Sequence, residues 1–332
     1  MSPSTKRLNW VDQARGWSIF LVVYGHNFPV LESYIYSFHV PLFFFISGMF
    51  HKKEFTLNSI KNRAKTLLIP YFFWATLLYL FWSIVGRKFG KSSLLDLSIE
   101  DNFIGIFYAQ GGQEFMDWGI PLWFLPCLFL VYVIYGLIQK YIKKRLVIYA
   151  VTFLFLCGLI WSKTELHLPW SFDVALVGLF FYQLGHRLKA YFLSLNSRTL
   201  FIIFLILMGL HLLAFYLNPS KIDMYRSIYG NPLLFVISGV AGSIAYILFF
   251  KILPYFKVLS YFGQHSIVIL ATHLRALTVI KFGLYLVLGT SVFAFTEWEK
   301  LGLTFLQLIL ISPVIWVVHK YLPILDGKQK QQ

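Results

Sequence analysis

Acidic residues are scarce in this sequence. There are 14 Asp and Glu against 29 Lys and Arg, and only 13% of the 332 residues are charged. A soluble domain carries about 25% charged residues, so too little polar surface exists here to cover a water-soluble core. That excludes a soluble enzyme, a disordered chain and a DNA-binding module. Cysteine is nearly missing as well. Cys127 and Cys157 both lie inside apolar runs, where they read as small packing residues rather than as a disulfide or a thiolate metal site. There is no HExxH and no carboxylate cluster within an apolar run, so no metal is expected. The first apolar stretch, Trp10 to Val30, is broken by Arg15 and His26 and has no small-residue cleavage site, so it reads as a span that stays. No internal repeat is visible. The run FHVPLFFFISG from Phe38 to Gly48 has no echo in the second half, which weighs against a transporter built from repeats.

What is present is apolar. The hydrophobic set makes up 58% of the chain, aromatic residues 20%, and the mean hydropathy is +0.69. Segments of roughly 17–25 residues suffice to cross a bilayer as a helix. Ten of them centre on 12–30, 34–50, 67–85, 119–138, 146–162, 172–188, 199–217, 232–251, 265–287 and 302–322. The expected fold is therefore all-α: a polytopic membrane protein of about ten transmembrane helices, forming a single integral-membrane domain over 1–332 with no fused soluble domain. The longest connection, 86–118, is an outer loop with Gly111 and Gly112 as a turn. At about 30 residues it is longer than a plain connector.

The basic excess then acquires a side. With the N-terminus in the cytoplasm and ten spans, 20 cations fall inside, among them Lys6, Arg7, Arg15, the five from Lys52 to Lys65, the four from Lys140 to Arg145, Arg187, Lys328 and Lys330, against three acids, and 7 cations, Lys91 among them, fall outside with 11 acids. The inner face carries +17 and the outer face −4, with Arg275 and Lys281 left within the ninth span. This matches the positive-inside rule, with both termini cytoplasmic. The net +15 thus needs no nucleic acid. The same basic loops suit membrane lipid of anionic character or an anionic cytoplasmic substrate.

Ionisable groups inside a membrane are functional hypotheses by default. Arg15 and His26 are eleven residues apart, which on a helix falls about 20° short of three turns with a rise of ~16 Å. Both face one side, so a single stripe links the cytoplasmic end of the first span to an imidazole further up. Arg15 is otherwise an anchor beside Asp12, and His26 a packing histidine. His39 starts the second span, as a cap or on the same cavity as His26, and Ser47-Gly48 ends it, suited to close packing or a backbone approach to a ligand. His273 and Arg275 sit within the ninth span, where they line the cavity or pair with a neighbour. Asp173 opens the sixth span, either capping it or orienting a histidine or a sugar hydroxyl, and Arg187 ends it. Trp118 and Trp123 read as interface aromatics or sugar-stacking rings. His51, His167, His186 and His265 read as solvated.

The run WVDQARGWSIFLVVYGHN followed by FHVPLFFFISGMF resembles the opening of the membrane-bound acyltransferase 3 family, in particular its fucose 4-O-acetylase and polysaccharide O-acetyltransferase branch. Arg15, ten residues and His26 match the family's first motif, and His39, Pro41 and the run to Ser47-Gly48 match its second. Weaker matches follow at PLWFLPCLF from Pro121, VGLFFYQLGHRL from Val177 and YFGQHSIVILATHL from Tyr261, the last aligning the family's late histidine with His273. The resemblance implies about ten helices and transfer of an acyl group, usually acetyl, from cytoplasmic acyl-CoA to a sugar hydroxyl of a cell-surface glycan or lipid-linked precursor, at a bacterial plasma membrane. His26 would be the general base, with His39, His273 and Asp173 in the catalytic set. Arg15, Arg187, Arg275 and Ser47 would hold acetyl-CoA or its developing oxyanion. The competing class is a transporter or flippase of lipid-linked glycans or another organic anion. A structural or sensory membrane protein would leave the Arg15 and His26 stripe without a purpose.

Overall fold

The computed structural model describes residues 8–328, apart from 53, 89–91, 93, 219 and 290–292. Lys6, Arg7, Lys53, Lys91 and Lys330, all counted in the charge reading, lie outside the described residues. Among these it is all-helical, with one isolated backbone bridge between Asp223 and Ile228. The helices are α1 (Asn9–Gly25), α2 (Glu32–Tyr36), α3 (His39–Met49), α4 (Leu57–Ile84), α5 (Ile99–Tyr108), α6 (Gln113–Met116), α7 (Phe124–Tyr141), α8 (Val147–Trp161), α9 (Phe172–Ser194), α10 (Ser197–Leu217), α11 (Pro232–Ile252), α12 (Lys257–Gln264), α13 (Ser266–Leu288) and α14 (Glu297–Tyr321). A helix satisfies its own backbone, which is what long apolar runs without water require. Polar side chains mark several starts. Thr56 and Thr296 form capping boxes with Ser59 and Glu299, and Ser98, Asn196 and Asn231 cap α5, α10 and α11.

Among the described residues, six helical segments are long and apolar enough to cross a membrane: α4, Ile120–Tyr141, α10, α11, α13 and α14. All ten apolar segments of the sequence are helical, but four fall short of that standard. α1, α3 and α8 have 17, 11 and 15 residues, and α9 carries Asp173, His186, Arg187 and Lys189. The outer surface is apolar. α10 buries only Leu200, His211 and Ala214 and turns side chains such as Leu205, Ile206 and Tyr216 outward. Polar residues sit inside instead: Gln13, Ser18, Gln183, Thr304 and Gln307 are almost fully buried.

Two crossings without side chains fix the helices at the centre. A Cβ on Gly16 would come 1.8 Å from the carbonyl oxygen of Leu259, and one on Gly263 would come 2.0 Å from that of Asp12, so α1 and α12 touch backbone to backbone. Gly48 and Gly185 form the same reciprocal contact between α3 and α9, each 1.9 Å from a carbonyl oxygen, that of Tyr182 and that of Phe45. Small residues let apolar helices approach this closely.

The described part of the long loop, 94–118, folds back into the bundle. Asn102 is fully buried and donates to the carbonyls of Ser98 and Glu114, while Trp118 donates to the carbonyl of Asn102. Trp118 and Trp123 are therefore buried, not interface aromatics, because this loop covers them. Gly111 takes a φ of +82°, the turn expected there. His51 and His265 are also buried rather than solvated: His51 meets the hydroxyl of Tyr182 and His265 the carboxylate of Asp326. His167 and His186 are partly buried and bonded, to Asp173 and Tyr135.

Candidate functional site

One cavity of about 350 Å³ runs through the middle of the bundle. Arg15, Ile19, Val22 and His26 line one wall from α1, at the spacing of one helical face. His39, Val40, Phe43 and Ser47 line another from α3. The stripe read from the sequence thus lies on the cavity, and Arg15, His26, His39 and Ser47 share it.

Two histidines on the cavity, His26 and His39, and a third behind them, His273, have a common geometry. His26 Nδ1 lies 2.7 Å from the carbonyl of Val22, His39 Nδ1 2.8 Å from that of Ile35, and His273 Nδ1 3.0 Å from that of Ile269. A carbonyl only accepts, so each Nδ1 carries the proton and each Nε2 keeps a free lone pair. His273 is fully buried, does not line the cavity, and points its Nε2 at His26 Nδ1, 3.4 Å away. His26 thus has a proton shared between two acceptors on one side of its ring and a free Nε2 on the other. Residues beyond the sequence reading brace this pair. Asn27 donates to Thr304 and Gln307 of α14, at 2.9 and 2.8 Å, and Gln307 donates to the carbonyl of His273 at 2.9 Å. Asn27 stands beside His26 in the chain, but no local pattern announces Gln307.

The two ends of the cavity differ in charge. At the end holding Arg15, the start of α4 adds Arg63 and Thr66, the turn between α12 and α13 adds Gln264 and Ser266, and the chain's last described turn adds Asp326, Gly327 and Lys328. Lys328 Nζ lies 2.6 Å from Asp326 Oδ2, and His265 Nδ1 lies 2.7 Å from the same oxygen. The Nε of Arg63 is buried with no hydrogen-bond partner among the described residues. One group with metal-ligand spacing, His265, His319 and Asp326, lies here with its donor atoms within 4.8 Å of one another, and the Lys328 ammonium already stands at its carboxylate. At the opposite end the lining comes from Tyr36, from Ile120 to Trp123, and from Asp223, Met224 and Tyr225 in the connection between α10 and α11. Burial pushes the Asp223 carboxyl up to about 6.

Asp173, Arg187 and Arg275 lie off the cavity. Asp173 is buried at the start of α9, accepting from Ser227 Oγ at 2.8 Å and meeting His167 Nδ1 at 3.5 Å. It does orient a histidine, but His167, whose imidazole it holds above the usual range. Arg187 is exposed on the outside of α9. Arg275, expected on the cavity, turns away from it because the long loop folds under α13: its Nη2 donates to the carbonyl of Asp117 at 3.1 Å. Arg63, Lys328, Asp223 and Tyr225 replace these on the cavity. They come from a helix start, the chain end and a loop, where no periodicity marks them.

The nodulation protein NolL of Mesorhizobium japonicum is 37% identical over a stretch that covers 27% of this chain and 29% of that relative. The chain therefore matches less than a third of that relative's length. No solved structure matches. The sequence pattern of the acyltransferase 3 family, described as an acyltransferase domain, runs from residue 8 to 319 and so takes in both walls of the cavity and the His26 and His273 pair: the chain belongs to that family.

Proposed function

We propose that this chain is a membrane O-acyltransferase that moves an acetyl group from cytoplasmic acetyl-CoA to a sugar hydroxyl of a cell-surface glycan or its precursor. The observation that carries the reading is His26 Nε2, left free by the 2.7 Å bond from Nδ1 to the Val22 carbonyl, on a cavity that also holds Arg15. The acceptor's hydroxyl oxygen attacks the thioester carbonyl while His26 Nε2 takes its proton. The tetrahedral intermediate collapses, the carbon–sulfur bond breaks, and the departing CoA thiolate recovers that proton from His26. The new ester carries the acetyl group and free CoA carries the thiol hydrogen. While His26 is doubly protonated, its Nδ1 proton is shared by Val22 and His273, which disperses the charge. His39, with its own free Nε2 on the same cavity, is placed to hold a hydroxyl of the acceptor.

The donor enters at the Arg15 end, where Arg63 and Lys328 join Arg15 in suiting the phosphates of CoA. In this reading all ten helical segments cross a bacterial plasma membrane, with both termini cytoplasmic and the chain forming one membrane domain. The short α1 and α3 cross because neighbours, not lipid, surround them. The test is purified protein in liposomes with radiolabelled acetyl-CoA and surface glycan that has been stripped of O-acetyl groups by mild alkali. Wild type labels the glycan and His26→Ala loses about 10³-fold in rate. Equal labelling by the two proteins removes His26 as the base, and acetyl-CoA that neither binds nor turns over removes the function.

A further inference from the structure

The end of the cavity opposite Arg15 has a chemistry of its own. Tyr36, Trp123 and Tyr225 bring three aromatic side chains to it, and among the described residues Asp223 is the one formally charged residue lining it there, with Lys221 over the Tyr36 ring and Arg226 beside Tyr225 and Asp223 standing behind the lining. Gly111 welds two of the rings together: a Cβ on it would come 3.0 Å from Trp123 and 3.2 Å from Tyr225, so this backbone lies flat against both. Tyr36 sits with its ring centre 5.0 Å from that of His39. Resting on the proposed acyl transfer, we infer that this end is the acceptor subsite and that it takes a neutral pyranose, its apolar faces against the aromatic rings and two neighbouring hydroxyls bound by Asp223.

Charge separates the two halves of the site. Three cations, Arg15, Arg63 and Lys328, line the far end and suit an anion, whereas a uronate or sialate brought beside Asp223 would meet a carboxylate. With its carboxyl at about 6, Asp223 is ionised at neutral pH and accepts from hydroxyl donors; its ion-pair partner Arg226, 4.0 Å away with a side chain 55% exposed, is outside the lining, so an acidic sugar in the cavity would meet the carboxylate. Aromatic rings offer an apolar face to the C–H side of a sugar while their polar tips stay available for hydrogen bonds.

The loop is also built rigidly, which favours binding because little ordering is left to do. Asp223 and Ile228 exchange both backbone hydrogen bonds, at 2.8 and 3.0 Å. Ser227, at a φ of +55°, donates to Asp173 of α9 at 2.8 Å, and Lys221 reaches Glu32 of α2 at 2.7 Å. Asp173 is thereby a positioning residue: it holds the loop that carries Asp223 and Tyr225 and does not face the cavity itself.

The experiment uses the full chain in liposomes and deacetylated surface glycan from cells lacking the gene, split by anion exchange into neutral and acidic fractions. Wild type is expected to label the neutral fraction. Asp223→Asn and Tyr225→Ala are each expected to raise the apparent KM for that glycan about tenfold, with the KM for acetyl-CoA within about twofold of wild type and thermal stability retained. Tyr225→Phe, which keeps the ring, should raise that KM less than Tyr225→Ala does. Label confined to the acidic fraction overturns the neutral acceptor, and an unchanged glycan KM in both Asp223→Asn and Tyr225→Ala overturns the subsite. Acetyl-CoA turnover with either outcome leaves the acyltransferase reading standing, whereas wild type that labels nothing overturns both.

Discussion

His273 Nε2 lies 3.4 Å from His26 Nδ1, across 247 positions of sequence. The distance joins the two residues into one proton-holding unit, since the free lone pair of His273 faces the only proton of the neutral His26 ring. Residues that act as a unit give non-additive losses. His273→Ala is therefore expected to lower kcat about tenfold with little change in either KM, and the double variant His26→Ala/His273→Ala to be no slower than His26→Ala alone. Steady-state rates of the four proteins check this, and losses that multiply would break the unit.

The sequence offers both Arg15 and Arg187 as candidates for the acyl donor, and the fold separates them. Arg15 lines the cavity, while Arg187 is exposed on the outer side of α9. Arg15→Ala is expected to weaken acetyl-CoA binding about tenfold, or ~1.4 kcal/mol, and Arg187→Ala to leave it within about twofold. Titration calorimetry in detergent measures both, and equal losses would take the donor site off the cavity.

The contrast shows what a sequence can carry. Arg15 and His26 were legible because their relation is local: eleven residues on one helix fix a face whatever the tertiary fold does. His39 and Ser47 were legible for the same reason on α3. Arg63, Asp223, Tyr225 and Lys328 were not, because a helix start, a loop and the chain end reach the cavity only through long-range packing. Arg275 misled in the other direction. A buried arginine demands a partner, but only the folded loop could say that the partner is the carbonyl of Asp117. The count of spans has a related cause. α1 and α3 bear the site, so their polar residues and short length remove them from the six segments that stand out by length and hydropathy alone.

The crossing of α3 over α9 places His39 and Ser47, and it leaves no space for a methyl group. Gly48→Ala or Gly185→Ala would drive a Cβ to about 1.9 Å from a backbone carbonyl that cannot swing away. Overpacking typically costs 1–3 kcal/mol, and a backbone contact lies at or above the top of that range. Gly209→Ala on α10 is the matched control: nothing lies within 4 Å of its Cβ position, so it is expected to be neutral or to stabilise by up to ~1 kcal/mol. Thermal unfolding in one detergent ranks the three, and a Gly48→Ala protein as stable as wild type would mean that the two helices do not touch as described.

Two groups near the acceptor end, His167 just before α9 and Asp223 in the connection between α10 and α11, link folding to pH in the same sense, because both bind a proton more tightly in the folded state. Asp173 holds the His167 imidazole above its usual pKa, so the folded state binds a proton more tightly than the unfolded chain. The stabilisation is complete below about 6.5, the unfolded value, and is lost as pH rises through the higher folded value. His167→Gln should therefore cost stability at pH 5.5 and approach wild type at high pH, by a modest amount because the side chain is 28% exposed. Asp223 is raised by burial to about 6 from an unfolded value of about 3.9, so its ionised form is a burden on the folded state. That burden is full above pH 6 and is relieved as pH falls toward 4. Relative to Asp223→Asn, wild type should gain stability on acidification through that window. Melting temperatures of the three proteins between pH 4 and pH 9 test both windows, and curves that stay parallel would detach His167 and Asp223 from the stability of the fold.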